Sequence, residues 1–63
     1  MPLVQVTMLL GRTADQKRKL AQRLTDVMVE EAGAHREAVV VTFAEVSKES
    51  YASGGVLMAD KPR

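Results

Sequence analysis

Residues 2–16 read Pro-Leu-Val-Gln-Val-Thr-Met-Leu-Leu-Gly-Arg-Thr-Ala-Asp-Gln, and the change of period inside this stretch decides the fold. From Pro2 to Leu10, the apolar Val4, Val6, Met8 and Leu10 alternate with Gln5 and Thr7, which is the two-residue period of a strand. Leu3 and Leu9 interrupt the polar side, so that face is expected to be at least partly covered as well. Gly11-Arg12-Thr13 stops the strand. Thr13 followed by Gln16 has capping-box spacing, which predicts a helix from about Ala14. Leu20, Ala21, Leu24, Val27, Met28 and Ala32 then recur at three- and four-residue steps as one apolar stripe, and Gly33 suits a left-handed close.

Working outward, Ala38 to Val46 is a short run rich in β-branched residues and reads as a second strand. Val39, Val41 and Phe43 share one face while Val40, Ala44 and Val46 share the other, so both faces favour leaving water. Strand, helix and strand in this order fit a right-handed βαβ crossover with parallel strands, an α/β fold. One helix covers one face of that sheet, and the back face is expected to meet another subunit. Ser47 to Ser53 reads as a polar loop, Gly54-Gly55 as a turn, and Val56 to Met58 as a short strand or hairpin arm. The tail from Asp60 to Arg63 is expected to fray.

Composition points the same way. The 63 residues make one domain, 1–63. Ordering each costs roughly 1.5 kcal/mol, which the apolar burial of so short a chain barely offsets. There is no cysteine and only one histidine, so neither a disulfide nor an ordinary structural zinc site is available, and no metal is expected. Tyr51 and Phe43 are the only aromatic residues, which leaves few large anchors for an isolated core. Self-association is the remaining route to stability. Nine Lys plus Arg against eight Asp plus Glu give a net charge of +1, no basis for a nucleic-acid or anionic-membrane partner. No apolar run reaches the roughly 20 residues of a membrane span, and the start lacks a basic-then-apolar leader, so a cytoplasmic protein is expected.

Several residues carry candidate chemistry. Pro2 follows the initiator Met1, a context in which Met1 is commonly removed, and removal exposes a secondary amine. An α-amino group has an unperturbed pKa of about 7.7–8.0, so a neutral base at physiological pH needs little tuning. Arg12 falls between a strand end and a helix N-terminus, where a guanidinium can bind a carboxylate through two parallel hydrogen bonds. Lys17, Arg18, Lys19 and Arg23 load the early helix with positive charge, and Asp26, Glu30 and Glu31 load its later part with negative charge. That distribution opposes the helix dipole and reads as a solvated face, with Asp15 and Lys19 spaced to pair. His35 reads as a surface turn residue. Glu45 either orients a substrate or faces solvent, and Tyr51 walls a pocket or packs across a subunit contact.

Together, Pro2 ahead of an alternating strand, Gly11-Arg12-Thr13, Asp15-Gln16-Lys17 opening the helix, Glu45 in the second strand, and Tyr51 before Gly54-Gly55 resemble the 4-oxalocrotonate tautomerase family over nearly the whole chain. The resemblance implies β-α-β subunits whose dimers form a four-stranded sheet with helices on one face and assemble further, commonly as a homohexamer. It implies an isomerase that needs no cofactor. Pro2 would be the catalytic base, Arg12 the ligand of a substrate carboxylate, and Tyr51 an aromatic wall where the family usually has phenylalanine. Members that process the diacid hydroxymuconate carry a second arginine where this sequence has Val40. Arg36 is no simple replacement, because four residues along a strand displace its backbone about 13 Å, which leaves an arginine from a neighbouring subunit as the alternative. A monocarboxylate or α-keto acid with an apolar tail is therefore the expected substrate. Two other readings stand beside tautomerisation. One is hydration or dehalogenation of a small unsaturated acid, with Glu45 positioning water. The other is a non-catalytic oligomeric binding module such as a ribbon-helix-helix DNA binder, which the apolar first strand and β second element disfavour.

Overall fold

A computed structural model describes residues 2–62. Strand β1 (Leu3–Leu9) leads into helix α1 (Ala14–Ala32), strand β2 (Val40–Val46), and a hairpin of two short strands, β3 (Ala52–Ser53) and β4 (Val56–Leu57). Short 3₁₀ turns at Arg36–Ala38, Lys48–Ser50 and Met58–Asp60 join these elements. β1 and β2 are parallel, in register from Leu3 opposite Val40 to Leu9 opposite Val46. Two further bonds extend the ladder: Val40 N–H to the Pro2 carbonyl at 3.0 Å and Leu10 N–H to the Val46 carbonyl at 2.8 Å. The expected α/β class, parallel crossover and C-terminal hairpin are all present.

Local chemistry accounts for the helix ends. Thr13 is extended (φ −76°, ψ 163°), its Oγ1 accepts the Gln16 N–H at 3.1 Å, and the Gln16 Oε1 accepts the Thr13 N–H at 2.9 Å. Both bonds of the capping box therefore form. Gly33 closes the helix at φ 68°, and its N–H donates to the Met28 carbonyl. At the hairpin, Gly54 and Gly55 take φ 62° and 83°, the pair of positive angles that a two-residue turn between twisted strands requires.

Three expectations are corrected. β2 begins at Val40 instead of Ala38, because Arg36–Ala38 form a 3₁₀ turn whose Arg36 guanidinium pairs with Asp26 of α1. Asp15 pairs with Arg18, one helical turn away at three-residue spacing, and not with Lys19. The tail is held as far as Lys61, whose N–H donates to the Met58 carbonyl at 3.2 Å. Arg63, the last residue of the expected fray, lies outside the described residues.

Alternation places Val4, Val6 and Met8 on the same sheet face as Val41, Phe43 and Glu45. The Lys17–Glu45 ion pair shows that α1 lies over this face. The opposite face carries Leu3, Gln5, Thr7 and Leu9 with Val40, Thr42, Ala44 and Val46; α1 does not lie over it, and Leu3, Gln5, Thr7, Val40 and Thr42 are exposed. Among the described residues none is fully buried, and Leu3 is 63% exposed. The radius of gyration is 14.8 Å, against about 11 Å for a compact domain of this length. The hairpin segment packs mainly on itself and its flanking turns, which accounts for the elongation.

Candidate active site

The sheet sets where the candidate residues stand. Pro2 is half-buried at the head of β1, its carbonyl holding the N–H of Val40. Arg12 is exposed in the turn after β1, where Gly11 at φ 125° redirects the chain toward α1. A seven-residue strand lies between them; at about 3.3 Å per residue the two are roughly 20 Å apart. One small molecule cannot touch both within a single chain. Tyr51, 42% exposed, follows the end of β2 and so belongs to the Arg12 end of the sheet, where its carbonyl accepts the Met58 N–H at 2.7 Å. Met1, whose removal would free the Pro2 nitrogen, lies outside the described residues.

Arg12 borders a shallow groove of about 340 Å³, open to solvent and lined also by Gln16, Lys19, Leu20 and Arg23, all of them exposed. Those four helix positions are spaced i, i+3, i+4 and i+7, so they share one flank of α1. Lys19 and Arg23 are exposed, as their reading as a solvated face expects, and the groove lies along that face.

Glu45 faces neither solvent nor an open pocket alone: it is half-buried and paired with Lys17. His35 is exposed ahead of the Arg36–Ala38 turn, and among the described residues no group of three or more His, Cys, Asp or Glu could hold a metal ion. Val40, at the position expected for a second arginine, sits beside Pro2 and is 37% exposed. Among the described residues no helix is long and apolar enough to cross a membrane.

A family model described as "Tautomerase enzyme" matches residues 2–61. This chain belongs to the tautomerase family. A relative named "Probable tautomerase" from Bacillus cereus is 48% identical over 61 residues, covering 97% of this chain and 100% of that protein. The 2-hydroxymuconate tautomerase of Bacillus subtilis is 43% identical over 60 residues, covering 95% of this chain and 97% of that protein. A solved heterohexamer 4-oxalocrotonate tautomerase from Chloroflexus aurantiacus superposes with a TM-score of 0.89 at 32% identity, over 95% of this chain and 97% of that one. Membership of the tautomerase family fits both the β-α-β fold and the expectation drawn from Pro2 and Gly11-Arg12-Thr13.

Proposed function

We propose that the whole chain, 1–63, acts as one cofactor-independent tautomerase domain on a small unsaturated 2-hydroxy or 2-keto carboxylic acid. The observation that carries this reading is the separation of Pro2 from Arg12 along β1 in a chain of the tautomerase family. β1 has a free edge in the two-stranded sheet. An antiparallel copy of β1 on that edge would set the head of one strand against the end of the other, bringing Pro2 of one copy to Arg12 of its partner. The same pairing makes a four-stranded sheet. Stacking such dimers through the uncovered face then gives a homohexamer, supported by the heterohexameric relative.

In the proposed reaction the Pro2 nitrogen takes the proton of the enol hydroxyl. The oxygen lone pair becomes the carbonyl π bond, and the carbon–carbon double bond shifts its electrons to a remote carbon. That carbon takes the proton back from the Pro2 ammonium, so the amine is released neutral and the product keeps the carboxylate charge of the substrate. Arg12 of the partner copy binds the carboxylate through paired hydrogen bonds and stabilises charge developing on the adjacent oxygen. Tyr51 walls the pocket, where a lowered dielectric favours the unprotonated amine. The 2-hydroxymuconate tautomerase relative supports this substrate class. The hydratase reading has less support, since the carboxylate it would use to position water, Glu45, already takes Lys17 on its Oε1.

The test uses the state of the Pro2 nitrogen. Protein that intact mass shows to lack Met1 is expected to ketonise an enol acid, and protein retaining Met1, whose Pro2 nitrogen is an amide, is expected not to. Equal turnover by the two forms would end the proposal.

A further inference from the structure

We propose that Lys19 and Arg23 are specificity-determining residues: beside Arg12, which holds the first carboxylate, they form a receptor on the flank of α1 for a second anionic group of the substrate. The inference rests on the tautomerase reading and starts from charge accounting around the groove. Among the described residues the ion pairs are Lys17–Glu45, Arg18–Asp15 and Arg36–Asp26. The nearest acids on and under the helix are thus each held by a cation outside the groove, while Arg12, Lys19 and Arg23 line it without a partner. Glu30 and Glu31 begin seven residues past Arg23, about 10 Å further along the helix axis.

Geometry concentrates these three charges. Helical side chains tilt toward the N-terminus, so Lys19 and Arg23 lean toward the Arg12 turn. Like charges four residues apart repel, and cations near a helix start oppose its dipole. An anion seated among them removes both penalties. Gln16 spends its Oε1 on the cap, which leaves its amide N–H groups as donors into the same space. Leu20, exposed on the same flank, offers an apolar patch against which a carbon skeleton can lie. The strand beside Pro2 supplies no cation, since Val40 stands there and Arg36 is held by Asp26. The helix flank supplies two. The preference for monoacids that Val40 alone suggests is therefore reversed.

Lys19→Gln, Arg23→Gln and the double variant test this, with Arg18→Gln as a charge control from the same helix outside the groove. Calorimetry at low ionic strength compares adipate with hexanoate, two unreactive acids differing in the second carboxylate. Kinetics compare hydroxymuconate with the enol of phenylpyruvate. The wild-type chain is expected to bind adipate about tenfold more tightly than hexanoate. The double variant is expected to lose that preference and to lower the diacid-to-monoacid ratio of kcat/KM by a similar factor, while Arg18→Gln keeps both. Equal affinity of the wild type for the two acids overturns the proposal. So does an equal loss in Arg18→Gln, or a double variant that shifts sedimentation while keeping the preference, which would mark the flank as a contact between copies. The binding arm needs no turnover: a wild-type chain that ketonises neither enol defeats the tautomerase reading and leaves the adipate result standing on its own.

Discussion

At the head of β1, Pro2 lies against Val40 and the paired residues are Leu3 with Val40 and Val4 with Val41, an apolar setting without a charged side chain in the register. At the far end, Met8 pairs with Glu45, Glu45 holds Lys17, and Arg12 borders a groove carrying two more cations. A base that must stay neutral belongs in the first setting, and an anion receptor belongs in the second. Neither end suffices for the proposed chemistry. The parallel strand keeps them apart within a chain, so a site using both must form between copies.

The contrast is broken most severely at the head. Pro2→Ala keeps an amine but a primary one, and steady-state assays are expected to show a loss of about 10²–10⁴ in kcat. Activity near wild type would remove the proposed base. At the other end, Arg12→Ala is expected to lower kcat/KM by about 10², with KM and kcat both affected because the guanidinium acts in binding and in the transition state. Loss confined to KM would reduce Arg12 to a ground-state contact. Between the ends, Ala44→Asp puts a charge in the middle of the uncovered face, opposite Thr7. Sedimentation is expected to show the assembly dissociating and circular dichroism a lowered Tm, because no described residue of the single chain is fully buried. An assembly indifferent to that charge would mean the face is not covered. The smallest effect belongs to Thr13→Ala, which removes one bond of the capping box and is expected to cost about 1 kcal/mol in urea unfolding with catalysis little changed.

What was legible in the sequence was local. The Thr13–Gln16 cap, the αL close at Gly33 and the Gly54-Gly55 turn depend on neighbours within a few residues, and each formed as read. The start of β2 was misplaced because its competitor is tertiary: Arg36 reaches Asp26, ten residues back, and the segment turns before it extends. Asp15 chose Arg18 over Lys19 because both spacings bring side chains together on a helix, and sequence alone does not rank them. Glu45 could not be assigned because its partner, Lys17, is 28 residues away. Of the candidate site, Pro2, Arg12 and Tyr51 were visible as positions. The separation of Pro2 from Arg12 and the grouping of Lys19 and Arg23 with Arg12 needed three dimensions.

Subunit mixing tests the shared site most directly. Pro2→Ala chains and Arg12→Ala chains, each inactive alone, are dissociated, combined in equal amounts and reassembled. If the base comes from one copy and the guanidinium from another, random two-fold pairing leaves about one site in four with both groups intact, and roughly a quarter of wild-type activity returns. If the mixture is no more active than its two parents, Pro2 and Arg12 do not meet across copies and the account fails.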